Sequence, residues 1–209
     1  MLFTMRRGIF FSVLCLILVT LHATAQITPR WVDLRQKYLG LQSLSGGFTE
    51  TLVSSMDGET THFAGKFFFQ MPSRFRLEVT EPMRQVIVGN DSVVWFYFPE
   101  EKRAVLQKRR EPFPLLAFVE PLLDTTSSIT EEKMPDGRTV LLVQTDDGSV
   151  FRDMRLELDG SGLRVNAFSF LDDWGNWCRF GLKNQRWNQP LAPKLFKFVP
   201  PTGTQIEYQ

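Results

Sequence analysis

Residues 65–99 alternate between apolar and polar side chains with the period of antiparallel strands. In residues 74–80 the apolar set is Phe75, Leu77 and Val79, and the intervening positions are charged or polar. Aromatic and β-branched runs of strand length lie on both sides, bounded by proline, glycine and asparagine turns. The stretch predicts four strands, at 67–69, 75–79, 86–88 and 93–98. Their apolar face must be covered by protein or by a ligand.

The same pattern extends along most of the chain. An early strand at 48–53 returns through 60–64 into this stretch, and no helical crossover interrupts residues 48–105, so neighbouring strands are predicted to be antiparallel. Further strands are predicted at 104–107, 139–144, 150–158, 164–171, 176–182 and 195–199. A sheet of about eleven strands curls, and incomplete closure leaves a hollow.

Two segments predict short helices beside this sheet. Residues 29–41 place four apolar side chains on one helical stripe, with proline in the first turn: Trp31, Leu34, Tyr38 and Leu41. This helix either packs on the sheet or closes an open barrel. Residues 112–123 are mostly apolar, and we expect one or two helical turns between Pro114 and Pro121, which should end or kink them. The segment is too short to span a bilayer, so it contacts protein, a ligand or a membrane surface.

The first 25 residues have the composition of a secretory signal peptide. Arg6 and Arg7 precede an uncharged apolar run at 8–21, and a small-residue cleavage pattern ends at Ala25. We expect residues 26–209 to remain as a single domain. Cleavage removes two of the 24 basic residues and none of the 23 acidic ones, which leaves 22 basic and 23 acidic residues and a net charge near −1. This balance gives no support for nucleic-acid binding.

The remaining chain is poor in catalytic patterns. His62 is its only histidine, and we expect it on the surface of a strand. Cys178 is its only cysteine, which excludes an intramolecular disulfide, and a packed thiol is expected. Glycine-rich phosphate loops and the HExxH and GxSxG motifs are absent. The basic run 108–110 predicts either a solvated turn or a docking patch. A binding protein without cofactor or metal is therefore favoured over an enzyme.

Four ordered motifs carry a resemblance to a known family. Phe48-Thr49-Glu50 resembles an early F-x-Q strand, and residues 95–99 resemble W-x-Y-x-P. Residues 65–77 resemble a glycine and an aromatic-rich strand followed by P-x-x-F-R-W, and residues 196–204 resemble an F-x-F-x-P-P-x-G-V ending. In this order and behind a secretory signal, the motifs resemble the LolA family, the periplasmic carriers of outer-membrane lipoproteins.

This resemblance implies a mainly β fold with short helices, an unclosed antiparallel β half-barrel capped by residues 29–41 and 112–123. It implies a non-enzymatic monomer in the periplasm that holds the acyl chains of lipoproteins in a hydrophobic cavity. It further implies an inner-membrane lipoprotein-releasing ABC transporter and an outer-membrane acceptor as partners. The residues that we expect in the cavity and its lid are Phe67, Phe69, Phe75, Leu77, Trp95, Tyr97, Leu115, Leu116, Phe118, Phe168 and Phe170.

The chain departs from the family pattern at two positions. Met71 stands where well-known members have an arginine that latches the cap by hydrogen bonds, and a methionine side chain cannot donate them. Leu77 stands where the family often has tryptophan. Two alternatives stay open: a half-barrel that binds lipids or senses the envelope through a different ligand, and an enzyme with His62 and a carboxylate in one pocket.

Overall fold

The computed structural model describes residues 29–108, 115, 117–124, 128–144 and 151–209. The described residues form one twelve-stranded sheet. The strands are β1 (Ser43–Val53), β2 (Thr60–Gln70), β3 (Arg74–Glu81), β4 (Gln85–Gly89), β5 (Val93–Phe98), β6 (Arg103–Lys108), β7 (Ser128–Lys133), β8 (Thr139–Gln144), β9 (Arg152–Leu158), β10 (Val165–Leu171), β11 (Trp177–Trp187) and β12 (Gln205–Tyr208). The predicted signal peptide and the basic residues 109–110 lie outside the described residues.

The sheet consists of two meanders joined at one seam. Its strand order is β12-β6-β5-β4-β3-β2-β1-β11-β10-β9-β8-β7. The seam is the antiparallel pair β1–β11, in which Phe48 lies opposite Leu182. The other pairs are antiparallel too, except that β12 runs parallel to β6. Because β12 and β7 form two separate edges, the sheet is unclosed, and the predicted antiparallel half-barrel is confirmed with twelve strands instead of about eleven.

On β3, alternating side chains give an apolar inner side and a polar outer side. On β3, Phe75, Leu77 and Val79 are buried in the core. The outward side chains between them include Arg76, whose Nε donates to Glu78 Oε1 over 2.8 Å. The curled sheet therefore has its core on the concave side.

The predicted helices are present, with shifted ends. Helix α1 spans Pro29–Leu39, and Leu34 and Tyr38 on its stripe are buried against the core. Helix α2 is a single turn, Glu120–Leu123. Pro121 lies in this first turn, where its missing N–H breaks no hydrogen bond, so the expectation that it ends a helix was wrong.

The C-terminal segment crosses the outer face instead of adding the strand predicted at 195–199. Pro193–Phe196 form a 3-10 helix, and Arg76 Nη1 donates to the Leu195 carbonyl over 3.4 Å. The chain then continues across the sheet to β12, which adds to the edge of β6. Phe198 of this segment packs on Trp95 and Tyr97 through its ring, whereas Val199 is exposed, so the strand-like pattern is present without strand pairing.

Other differences concern where strands begin and which strands the pattern missed. The first strand was predicted at 48–53, yet β1 begins at Ser43, and Ser45-Gly46-Gly47 lies within it and forms a bulge opposite β11. A β-carbon on Gly46 would lie 2.6 Å from the Lys183 carbonyl oxygen, so the bulge needs glycine there. Strands β7 and β12 were not predicted, because both have mostly polar sequences.

The two residues considered for chemistry lie where the sequence placed them. His62 is exposed on β2, with Nδ1 3.2 Å from Thr51 Oγ1. Cys178 is buried on β11, and burial raises the pKa of its thiol to about 12, so the thiol is uncharged at neutral pH. Within the described ranges, no helix has the length and apolar composition needed to cross a bilayer.

Candidate functional site

The predicted cavity residues of β2, β3 and β10 form an apolar wall on the inner face. Strand pairing places Phe69 opposite Phe75 and Phe67 opposite Leu77. Each of these four side chains is at most 4% exposed, and the rings of Phe67 and Phe69 lie 5.0 Å apart. In the other meander, Phe168 and Phe170 are equally buried. The structure thus brings these six residues into one core cluster.

A lid covers this wall. We define the lid as α1, Leu115, residues 117–119 and α2. Leu115 and Phe118, which were predicted for the cavity and its lid, are fully buried in the core cluster, whereas Leu116 lies outside the described residues. The Phe118 ring lies 4.8 Å from the Phe168 ring and 6.0 Å from the Tyr38 ring, so it bridges the wall and α1. The structure therefore shows a closed state in which lid side chains occupy the concave side.

Trp95 and Tyr97 are not part of this interior. Their neighbour Phe96 packs against the core, so alternation along β5 points both rings to the outer face. There they contact Phe198 of the C-terminal segment, at ring distances of 5.2 and 5.3 Å. The prediction that they line the cavity is corrected, because the C-terminal segment covers them on the opposite face.

Two hydrogen bonds position the lid: one joins α1 to the sheet, and the other joins α1 to α2. Tyr38 is buried, and its hydroxyl accepts a hydrogen bond from the Val165 N–H of β10 over 3.2 Å. Arg35 Nη2 donates to the Leu123 carbonyl over 3.1 Å and ties α1 to α2. The Met71 side chain packs against the core, and the Met71 backbone N–H donates to the Gln42 carbonyl over 2.9 Å. A tyrosine on the lid therefore provides a contact to the sheet of the kind that the resemblance assigns to arginine.

One ionisable group interrupts the apolar inner face. Glu50 lies between Phe48 and Leu52 on the inward side of β1, opposite Phe63 of β2 and Phe180 of β11. Burial alone raises the pKa of its carboxyl from 4.5 to about 7. The carboxyl has no hydrogen-bond or ion-pair partner within the described part of the chain. With this pKa, the carboxyl loses its proton over the neutral pH range.

Comparison with known proteins shows which family has this sheet and lid. The family model "Outer membrane lipoprotein carrier protein LolA" matches residues 40–199. This chain belongs to the LolA family. The match includes every strand except β12, and it includes both the apolar wall and α2.

Individual LolA relatives are distant in sequence but match over most of their length. The chain is 28% identical to the outer-membrane lipoprotein carrier protein of Methylococcus capsulatus, over 79% of this chain and 81% of the relative. It is 27% identical to the protein of the same name from a Shewanella species, over 95% and 97%. An uncharacterised conserved protein from Thermus thermophilus shares the fold, with a TM-score of 0.52, 16% identity, and coverage of 86% of this chain and 97% of that one.

Several residues of this LolA site were missed from the sequence. Phe180 stacks on Phe168 at 4.9 Å, and Trp187 contacts Tyr38 at 4.9 Å. Alternation in 176–182 could have placed Phe180 beside the wall. The same rule, applied between Phe48 and Leu52, could have placed Glu50 on the apolar face.

We expect Tyr38→Phe to destabilise this LolA protein by about 1–2 kcal/mol, since the buried Val165 N–H would lose its tyrosine acceptor. Tyr208→Phe is the matched control, because that side chain is 76% exposed, and it should change stability by less than about 0.5 kcal/mol. Urea unfolding followed by tryptophan fluorescence measures both. Equal stabilities of Tyr38→Phe and wild type would contradict the assigned contact.

The stability of the protein should also depend on Glu50 and pH. The pKa of the Glu50 carboxyl is higher in the folded state than in the unfolded state, so the folded protein stays protonated there to higher pH. The free energy of unfolding therefore decreases as the pH rises from about 4.5 to about 7. Allowing for partial exposure, we expect Glu50→Gln to be more stable than wild type by about 2 kcal/mol at pH 8 and nearly equal at pH 4.5. Urea unfolding at four pH values tests this. A difference that does not change with pH would contradict it.

Proposed function

We propose that this LolA protein carries lipoproteins from the inner to the outer membrane with their acyl chains held against the apolar wall. The observation that supports this most is the lid, whose buried Phe118 and Leu115 occupy the concave side. Displacing the lid would expose a large apolar surface, and acyl chains would replace the lid side chains there. The process is binding and release, with no catalytic step.

The lid makes binding reversible. Burial of each CH₂ group of an acyl chain contributes about 0.8 kcal/mol, so an empty apolar hollow would hold long chains too tightly for transfer. When the lid refills the hollow, the free carrier recovers part of this free energy, and the net affinity becomes modest. Closure by Phe118, Leu34 and Leu122, all fully buried, fits this balance.

The proposed setting is the periplasm. The secretory signal predicted at residues 1–25 supports export, and the names of the relatives support a lipoprotein as cargo. We propose that an inner-membrane lipoprotein-releasing ABC transporter delivers the lipoprotein to this protein and that an outer-membrane acceptor receives the lipoprotein from it. The protein would act as a monomer, because the apolar inner face is already covered by its own lid.

A release experiment tests the proposal. Purified protein is incubated with spheroplasts, and newly made lipoproteins are sought in the supernatant as complexes with it. We expect acylated lipoprotein in these complexes. In parallel, one synthetic lipopeptide is presented with and without its acyl chains, and only the acylated form should bind.

Two results would count against this function. Equal binding of the acylated and non-acylated peptides would mean that the protein recognises the polypeptide. Uptake of free lipid without any lipoprotein in the supernatant would instead favour the half-barrel lipid-binding or envelope-sensing alternative.

A further inference from the structure

The position of Glu50 is fixed by strand pairing on both sides. From residue 47 to residue 53, β1 pairs without a register shift with β2 and with β11. Its side chains at 48 and 52 contact the core, so the side chain at 50 points to the same face. The carboxyl therefore lies on the apolar face by geometry, and no local rearrangement of the strand is needed to place it there.

The surroundings of this carboxyl are apolar. Its cross-strand neighbours are Phe63 and Phe180, and the nearby titratable group on the inner face is the Cys178 thiol, which is uncharged at neutral pH. The basic residues of the flanking strands are His62 and Lys66 on β2 and Arg179, Lys183 and Arg186 on β11. They lie opposite residues 45, 47 and 51 of β1, which alternation places on the outer face, and Arg179 pairs there with Glu157 at 2.9 Å. No cation of the described chain therefore neutralises Glu50.

A half-buried carboxyl without a partner is costly for folding alone, and a ligand cation would compensate it. Since its neighbours exclude water on several sides, an incoming ammonium group would form a charge-assisted hydrogen bond there. An anionic head group would meet like charge instead.

We propose that Glu50 forms a polar subsite at the apolar wall that binds the ammonium group of an acylated ligand. The inference rests on the proposed uptake of acyl chains and adds a head-group preference to it. Because the carboxyl is ionised above pH 7, the subsite selects amine-bearing amphiphiles over carboxylate-bearing ones with the same chain.

Competition at pH 8 tests this subsite. A neutral apolar fluorescent probe is bound first, and dodecylamine, dodecanol and dodecanoate are then compared as competitors. We expect dodecylamine to compete about 10- to 100-fold better than dodecanoate in wild type. In Glu50→Gln the ratio of the two should fall to near unity. Glu59→Gln removes an equal charge from an exposed turn and should keep the wild-type ratio.

The outcomes separate this inference from the carrier function. If the probe binds but amine and carboxylate compete equally in wild type, or if Glu50→Gln keeps the preference, the subsite is wrong and the carrier function stands. If the probe does not bind at all, the apolar site fails, and the subsite fails with it.

Two further pairs of competitors identify the source of the ammonium group. A diacylated lipopeptide with a free α-amino group is compared with its N-acylated form, and phosphatidylethanolamine is compared with phosphatidylglycerol. A preference for the free amino lipopeptide assigns the subsite to the amino terminus of a lipid-modified peptide. A preference for phosphatidylethanolamine alone assigns it to a membrane lipid, and no preference in either pair overturns the subsite.

Discussion

Phe118→Ala is expected to bind acylated ligands more tightly than wild type although it is less stable. The Phe118 ring fills the space between Phe168 and Tyr38, and removing it costs about 3–5 kcal/mol of packing in the closed state. Since lid closure competes with the ligand, a weaker closed state raises the population that can bind. We expect the dissociation constant of a fluorescent acyl probe to fall by at least about tenfold.

The matched control is Phe170→Ala. Phe170 is as buried as Phe118, but its ring contacts the rings of Phe168 and Phe180 on the sheet and the ring of Phe151. This substitution should cost similar stability without tightening binding, because the wall is needed in both the closed and the loaded states. Urea unfolding and probe titration of both variants provide the measurements. Equal tightening by both would show that packing loss, and not the lid, controls affinity.

Gly65→Ala is expected to destabilise the protein by about 3 kcal/mol or more. Gly65 lies at a register shift between β2 and β3. A β-carbon there would overlap the Glu78 carbonyl group, lie 2.9 Å from its carbon atom and lie 3.0 Å from the Phe48 ring. A backbone carbonyl cannot rotate away, so the two strands would have to separate locally.

Gly47→Ala is the control for this substitution. Gly47 lies on the adjacent strand β1, and its nearest neighbour to an added β-carbon is the Gly65 carbonyl oxygen at 3.6 Å, an ordinary contact. We expect a change in unfolding free energy below about 1 kcal/mol. Thermal and urea unfolding of both variants decide the point. Similar unfolding midpoints for the two variants would mean that β3 moves away from residue 65 without loss of stability. The close approach of Gly65 to the Glu78 carbonyl group would then not require glycine.

The sheet was largely predictable because its inner face is continuous. Where apolar and charged residues alternate, as around Phe75, the period of two fixed both the strand and its orientation. The edge strand β12 lacks this signal, since its parallel pairing with β6 depends on a distant segment of the chain. Polar edge strands leave little pattern in a sequence because only part of their surface is buried.

The site was harder to predict where every position is apolar. Residues 93–98 are all aromatic or β-branched, so their sequence does not reveal which rings point inward. The structure shows that Trp95 and Tyr97 are covered by Phe198, a contact across about a hundred residues that no local rule contains. Lid contacts such as Tyr38 with Val165 depend on tertiary packing in the same way.

The seam between β1 and β11 determines when the fold can be completed. Strands β1–β6 pair with their neighbours in sequence and can assemble as soon as that half of the chain is available. Closing the seam brings Leu44 next to Trp187 and must wait for the second half, and such non-local pairing is slow. During this interval the first meander presents Phe67 and Phe75 to solvent. A nascent chain is therefore most prone to aggregation between the completion of its first half and the arrival of β11.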